Sequence, residues 1–169
     1  DTYNAEELPV GPTFLKKPEN VSLLNRLKAE YYLQYMEGGD PSQDSYMSTW
    51  AAVGEDVTTE LGWRQLRAHY YGTVSLVDEM VGKITSALEH ADLTNDTIIV
   101  FTSDHGDLLG DHAMLEKRSF YEESARVPLI ISIPSITTTQ TEIDGSFSQI
   151  DLVPTLLDLL GQDVPDHLH

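Results

Sequence analysis

Apolar positions repeat with a helical period through the middle of the chain. From Trp63 onward, Leu66, Tyr70, Val74, Val77, Val81, Ile84 and Leu88 recur every three or four residues, which predicts one long helix with a single core-facing stripe. A shorter helix is predicted over 21–36, where Leu23, Leu24, Leu27, Tyr31 and Tyr35 fall at helical spacing and Gly38-Gly39-Asp40-Pro41 ends the pattern. Pro9, Pro12 and Pro18 exclude a helix from the first twenty residues, since each removes an amide donor and clashes with the preceding turn. Residues 38–62 hold turn formers and little periodicity, the pattern of a long surface excursion.

The pattern changes after Asn95-Asp96. "TIIVFT", Thr97 to Thr102, is a short, β-branched, almost wholly apolar run, as expected of a strand covered on both faces in a parallel sheet. "RVPLIISIP", Arg126 to Pro134, is a second run of this kind, and Pro134 closes it. "SFSQI" admits a third, shorter strand, with Asp151 then capping a helix through "LVPTLLDLLG" and Pro154 tolerated in its first turn. Helix, strand, loop, strand and helix in this order predict an α/β fold with a mostly parallel sheet. The length of 169 residues suits one domain.

Charge narrows the choice of partners. The chain carries 28 acidic against 10 basic residues, a formal net charge of -18, which repels nucleic acid and anionic membrane surfaces. The acids are spread along the whole sequence and Lys is scarce, a composition suited to the solvated surface of a halophilic protein. No apolar run approaches the length of a bilayer span. The absence of Cys excludes disulfides and thiolate chemistry within these residues. The first residues have neither the basic start nor the apolar segment of a secretory signal, and there is no initiating Met. We therefore expect a piece of something longer, with its cellular address open and a lean to the cytoplasm.

Candidate chemistry concentrates in "TSDHGDLLGDH", Thr102 to His112, which holds three aspartates and two histidines just past the first strand. In open α/β sheets ligands bind beyond the carboxyl ends of strands, where loops converge. Asp104 and His105 sit there, and Gly106 lets the backbone turn so that both side chains can face one ion. The carboxylate suits Mg, Ca or Mn, whereas the imidazole leans toward Mn or Zn, so the pair leaves the metal undecided. Two donors are too few for a complete site. Asp107 and Asp111 read as ordinary members of an acidic surface, His69 and Asp78 as structural, and Arg126 as half of a buried or half-buried ion pair with the neighbouring glutamates.

The longer pattern "SDHGDLLGDHAMLEKRSFYEESARVPLIISIP", Ser103 to Pro134, resembles the sulfatase family of the alkaline phosphatase superfamily, nearest the branch of choline sulfatases and phosphonate monoester hydrolases. Asp104, His105, Gly110, His112, Lys117, Tyr121, Glu122, Arg126 and Pro128 all fall at that family's spacings, with Lys117 thirteen residues after Asp104. The resemblance implies a three-layer α/β/α domain, of which residues 1–169 would be a single partial catalytic domain. Within it, 1–62 would be a variable excursion with one helix, and 63–161 would hold the long helix, the metal-loop strand, the second strand and the last helix. It further implies that Asp104 and His105 ligate a divalent cation, calcium as in sulfatases or manganese or zinc as in phosphonate hydrolases. Lys117 would contact the anionic ester and stabilise charge growing in the transition state. His112 could orient a ligand, touch substrate or bond a backbone carbonyl.

The same resemblance implies a formylglycine nucleophile in a Cys/Ser-x-Pro-x-Arg motif, which the chain lacks. "SIPSI", Ser132 to Ile136, has Ile136 where Arg belongs and lies after the lysine rather than before it. We therefore expect these residues to carry half of a site and to be inactive alone, the formylglycine and the remaining ligands lying upstream. The substrate implied for the whole enzyme is a small sulfate ester, with a phosphodiester or phosphonate monoester as the alternative and a non-catalytic acidic binding module as the reading outside enzymes. A cut sheet would also expose an edge or apolar face open to homo-oligomerisation.

The charge distribution gives the first test. If the acids are adapted to high salt, the unfolding midpoint should rise between low salt and molar KCl as self-repulsion is screened. Equal midpoints in chemical denaturation at the two salt concentrations would remove the halophilic expectation.

Overall fold

The computed structural model describes residues 3–48, 56–134, 136 and 139–168. Part of the expected excursion, 49–55, and Ser135 of "SIPSI" lie outside the described residues.

Helix α1 runs Leu23–Met36, and the Ser22 hydroxyl at its start accepts from the Asn25 amide at 3.3 Å. Its buried face is Ala29, Tyr32 and Tyr35, while Leu23, Leu24 and Leu27 are exposed. The helix is thus where the pattern predicts it, but tyrosines face the core. Helix α2 runs Glu60–His90 and starts at Thr59, whose hydroxyl accepts from the Gly62 amide at 3.1 Å. Its first turns bury Trp63, Leu66, Arg67 and Ala68. Farther along, the predicted stripe surfaces at Val74, Val77 and Ile84, which are exposed among the described residues.

The predicted parallel sheet is not formed. Strands β1, Ile99–Thr102, and β2, Leu129–Ser132, make a two-stranded antiparallel sheet in which Ile99 faces Ser132 and Thr102 faces Leu129. Parallel pairing needs a crossover that returns the chain to the opposite end of the first strand, usually with a helix packed on the sheet. Residues 103–128 contain only the four-residue helix α3, Glu122–Ala125, and bring the chain back beside the end it left. Neither strand is covered on both faces, and Leu129 and Ile130 are exposed. Among the described residues, 146–150 form no third strand. Gln149–Asp151 form a 3-10 turn leading into helix α4, Leu152–Leu159, and the Asp151 carboxylate accepts from the Ser148 amide at 2.8 Å.

The core does not include the strands. It joins Phe14, Ala29, Tyr32, Tyr35, Met47, Val57, Trp63 and Leu66 to Leu108, Leu109, Ala113, Met114 and Leu115. Trp63 has no exposed surface, meets Tyr32 edge-on at 6.1 Å between centroids, and donates its indole N–H to the Val57 carbonyl at 2.9 Å. The aspartate-rich loop after β1 therefore supplies a large share of the core, through the apolar residues between its charges.

A buried ion pair lies along this core. Arg67 Nη1 is 3.0 Å from Asp111 Oδ2 and 3.0 Å from the Leu109 carbonyl, and the Thr13 hydroxyl donates to Asp111 Oδ1 at 2.7 Å. Both charged side chains are about 10% exposed. Asp111 is thus a structural residue and not a surface acid. Arg126, expected in a buried or half-buried pair, instead makes an exposed contact with Glu122 at 3.7 Å.

Removing one partner of a buried pair leaves the other charged and unsolvated, at a cost of about 3–5 kcal/mol. Asp111→Ala should lower unfolding free energy by roughly that amount in urea titration, while the double replacement Arg67→Met with Asp111→Leu should cost less than Asp111→Ala alone. A single variant as stable as the parent would show that the pair holds nothing in place.

Candidate functional site

Asp104 and His105 converge where β1 ends. Asp104 Oδ2 lies 3.4 Å from His105 Nε2, and Asp104 Oδ1 accepts from the His105 amide at 3.0 Å. That amide holds the Asp104 carboxyl below the usual carboxylate range. His105 Nδ1 is 2.8 Å from the Gly106 carbonyl. A carbonyl oxygen only accepts, so Nδ1 carries the proton, and in the neutral ring Nε2 keeps a lone pair on the side of the Asp104 carboxylate. An imidazole oriented through its other nitrogen is the usual arrangement of a metal-ligating His.

Donors 3.4 Å apart suit adjacent ligands of one cation with bonds of about 2.0–2.6 Å. The Asp104 side chain is 84% exposed and His105 37%, so the pair opens to solvent instead of closing on itself. Among the described residues no third His, Asp or Glu joins them as a metal-holding group. The two residues therefore fit a divalent cation as partial ligands, and further donors are needed to complete a shell.

The loop after them is fixed by contacts with the core and with α3. The Gly106 amide donates to the Ser124 carbonyl at 2.9 Å, and a Cβ on Gly106 would run into the Glu123 carbonyl. Asp107 is partly buried, which raises its carboxyl above the ordinary range, although it accepts from the Leu109 amide at 3.0 Å. Gly110 has φ 93°, and a Cβ there would lie 2.6 Å from the Phe14 ring and 3.2 Å from Trp63. Glycine is required at Gly110 on both counts.

His112 does not join Asp104 and His105. Its ring stacks on Tyr121 at 3.7 Å with 12° between planes, its Nε2 is 3.4 Å from Glu123 Oε2, and its amide donates to the Thr13 carbonyl at 3.0 Å. These contacts link His112 to α3, whose Glu123 and Ser124 backbone lies against Gly106. Lys117 is half-buried and makes no hydrogen bond or ion pair among the described residues. The neighbouring Arg118 carbonyl accepts from Lys28 Nζ at 2.6 Å, which ties the end of this loop to α1.

Three residues with a part in this arrangement escaped the sequence. Arg67 had a signal, since it lies four positions after Trp63 on the face of α2 that enters the core. A charge in that position calls for a buried partner. Thr13 and Gln149 had none. Gln149 donates through Nε2 to the Ser103 carbonyl at 2.7 Å and to the Asp104 carbonyl at 2.8 Å.

The comparisons agree with the motif. The protein-family model described as Sulfatase matches residues 23–162. The multifunctional alkaline phosphatase superfamily protein PehA of Trinickia caryophylli is 33% identical over 165 residues, covering 96% of this chain and 30% of that protein. The choline-sulfatase of Rhizobium meliloti is 40% identical over 126 residues, covering 72% and 23%. Among solved structures, the phosphonate monoester hydrolase of Silicibacter pomeroyi superposes with a TM-score of 0.72 at 26% identity, covering 99% of this chain and 31% of that one. The chain thus spans under a third of the length of each.

Gly106 offers a direct probe of how the turn is held. Gly106→Ala forces its Cβ against the Glu123 backbone, and such overpacking costs about 1–3 kcal/mol. The expected outcome is a lower melting temperature together with loss of protection from hydrogen exchange at the Gly106 amide. Unchanged exchange at that amide would mean that the turn and α3 are not coupled.

Proposed function

The chain belongs to the sulfatase family, and on that premise we propose that its Asp104–His105 turn is part of the centre of a metal-dependent ester hydrolase acting at phosphorus or sulfur. The observation that carries the proposal is the 3.4 Å approach of the Asp104 carboxylate and the His105 Nε2 at the end of β1. Asp104 and His105 hold one divalent cation, calcium, manganese or zinc, which when bound supplies positive charge to polarise an ester oxygen. Lys117, half-buried and unengaged by any described group, contacts the anionic oxygens of the ester and stabilises the charge that grows as the bond to the leaving group breaks. His112 contributes through Glu123 and α3, keeping the turn in place. Among the described residues no further His, Asp or Glu completes the metal shell, and this reading leaves the nucleophile and the remaining ligands to other parts of the protein.

Between the two ester classes we favour phosphonate monoesters and phosphodiesters over sulfate esters. A multifunctional alkaline phosphatase superfamily protein matches 96% of the chain, and a phosphonate monoester hydrolase superposes over 99% of it with a TM-score of 0.72, against 0.64 for a 2-O GAG sulfatase over 95%. His105, in place of the Asn of many sulfatases, leans the same way. The sulfate-ester reading keeps the support of the choline-sulfatase, which is more identical over a shorter stretch.

The test is hydrolysis of 4-nitrophenyl phenylphosphonate and 4-nitrophenyl sulfate by the native-length protein carrying these residues. The phosphonate should be turned over with the higher kcat/KM, and Asp104→Ala or Lys117→Ala should lower that value roughly 10²–10³-fold. A preference for the sulfate reverses the choice of ester. Full activity in Asp104→Ala would remove this turn from the centre.

A further inference from the structure

We propose that Gln149 is a positioning residue for the metal-holding turn, fixing the peptide that carries Asp104 through its side-chain amide. This inference rests on the function proposed above. Gln149 lies 45 residues from Asp104 in sequence, yet its Nε2 is 2.8 Å from the Asp104 carbonyl and 2.7 Å from the Ser103 carbonyl. A primary amide nitrogen has two hydrogens, one for each of these acceptors.

The pairing has a structural consequence for the turn. In an extended strand successive carbonyls point to opposite sides. Two consecutive carbonyls within hydrogen-bond reach of a single nitrogen must instead face the same way, with their negative ends close together. The amide of Gln149 offsets that repulsion and holds the chain in the bend that follows β1. The bend in turn brings Asp104 Oδ2 to 3.4 Å from His105 Nε2, and the Ser103 hydroxyl donates to the His105 carbonyl at 2.8 Å and completes the turn. Occupying both carbonyl oxygens also keeps them from competing with the carboxylate for a cation.

Gln149 is exposed and sits in the 3-10 turn before α4, whose backbone bonds do not use its side chain. Substituting it should therefore leave folding intact and act on the site. Partners that orient metal ligands typically change affinity by about 10–100-fold when lost. Glu at this position is diagnostic, because it matches Gln in shape but turns a carboxylate on two carbonyl oxygens. A role in α4 alone would make Gln149→Glu and Gln149→Leu equivalent.

The experiment uses the native-length protein and Mn2+ alone, with affinity read by titration calorimetry and stability by thermal unfolding, for the parent, Asp104→Ala, Gln149→Leu and Gln149→Glu. The expected result is loss of Mn2+ binding in Asp104→Ala, about tenfold weaker binding in Gln149→Leu, weaker binding still in Gln149→Glu, and the parent's melting temperature in both Gln149 variants. If Asp104→Ala abolishes binding while both Gln149 variants bind within twofold of the parent, the positioning role is overturned and the proposed function stands. If Asp104→Ala binds like the parent, the metal assignment itself fails, and the role of Gln149 fails with it.

Discussion

The arrangement depends first on one buried contact, the Arg67 guanidinium against the Asp111 carboxylate. An arginine on the inner face of α2 is costly to dehydrate unless its charge is met. Here Nη1 has both Asp111 and the Leu109 carbonyl at 3.0 Å and the guanidinium sits over the Phe14 ring at 5.4 Å, while the buried Nε has no hydrogen-bond partner among the described residues. Asp111 in turn needs its second oxygen satisfied, and Thr13 supplies that donor. Three stretches far apart in sequence, the N-terminal segment, α2 and the loop after β1, are thereby locked in one register. The bonds from Leu15 to Gly110 and from His112 to Thr13 extend the same seam. Such a pair adds little net stability over a well-packed apolar replacement. We assign it instead to register, because the loop's apolar residues could pack in more than one way without it.

The direction of the sheet follows from this anchoring. Once Leu108 to Leu115 are drawn into the core beside α2, the chain leaving β1 has no length of helix with which to cross over the sheet. It returns through α3 to the end of β1 it had left, and β2 pairs antiparallel. A short apolar run looks the same read in either direction, so the existence of both strands was legible in the sequence and their relative direction was not. The helices show a similar division. Their 3.6-residue period was readable, but the periodic leucines of α1 face outward while Tyr32 and Tyr35 turn inward. Hydropathy ranks Leu above Tyr, whereas the core here needs ring area against Trp63.

Within the site, legibility tracks how local the chemistry is. Asp104 and His105 are adjacent, follow a strand and precede a glycine, so their convergence could be inferred from a few residues. Asp111 could not be separated from the many other acids by its own neighbours, because its partner lies 44 positions away. Gln149 was equally hidden, since a glutamine in a polar turn has no hydropathic signature and its acceptors are backbone atoms.

The loop between these residues also stores backbone strain. Leu109, His112, Ala113, Glu116 and Arg118 all have positive φ, and for residues with a side chain each such conformation costs of order 1 kcal/mol or more. Nothing local compensates, for none of the five is Gly or Asn. The compensation is burial. Leu108, Met114 and Leu115 are almost wholly enclosed, and Lys28 closes the far end by binding the Arg118 carbonyl. A loop bent in this way cannot relax without withdrawing its apolar residues from the core. Asp104 before it and Lys117 near its end are consequently joined by one packed segment. On the function proposed above, such a segment holds both groups before substrate arrives, so that no binding energy is spent on ordering them. The strained segment and the core that encloses its apolar residues are one device.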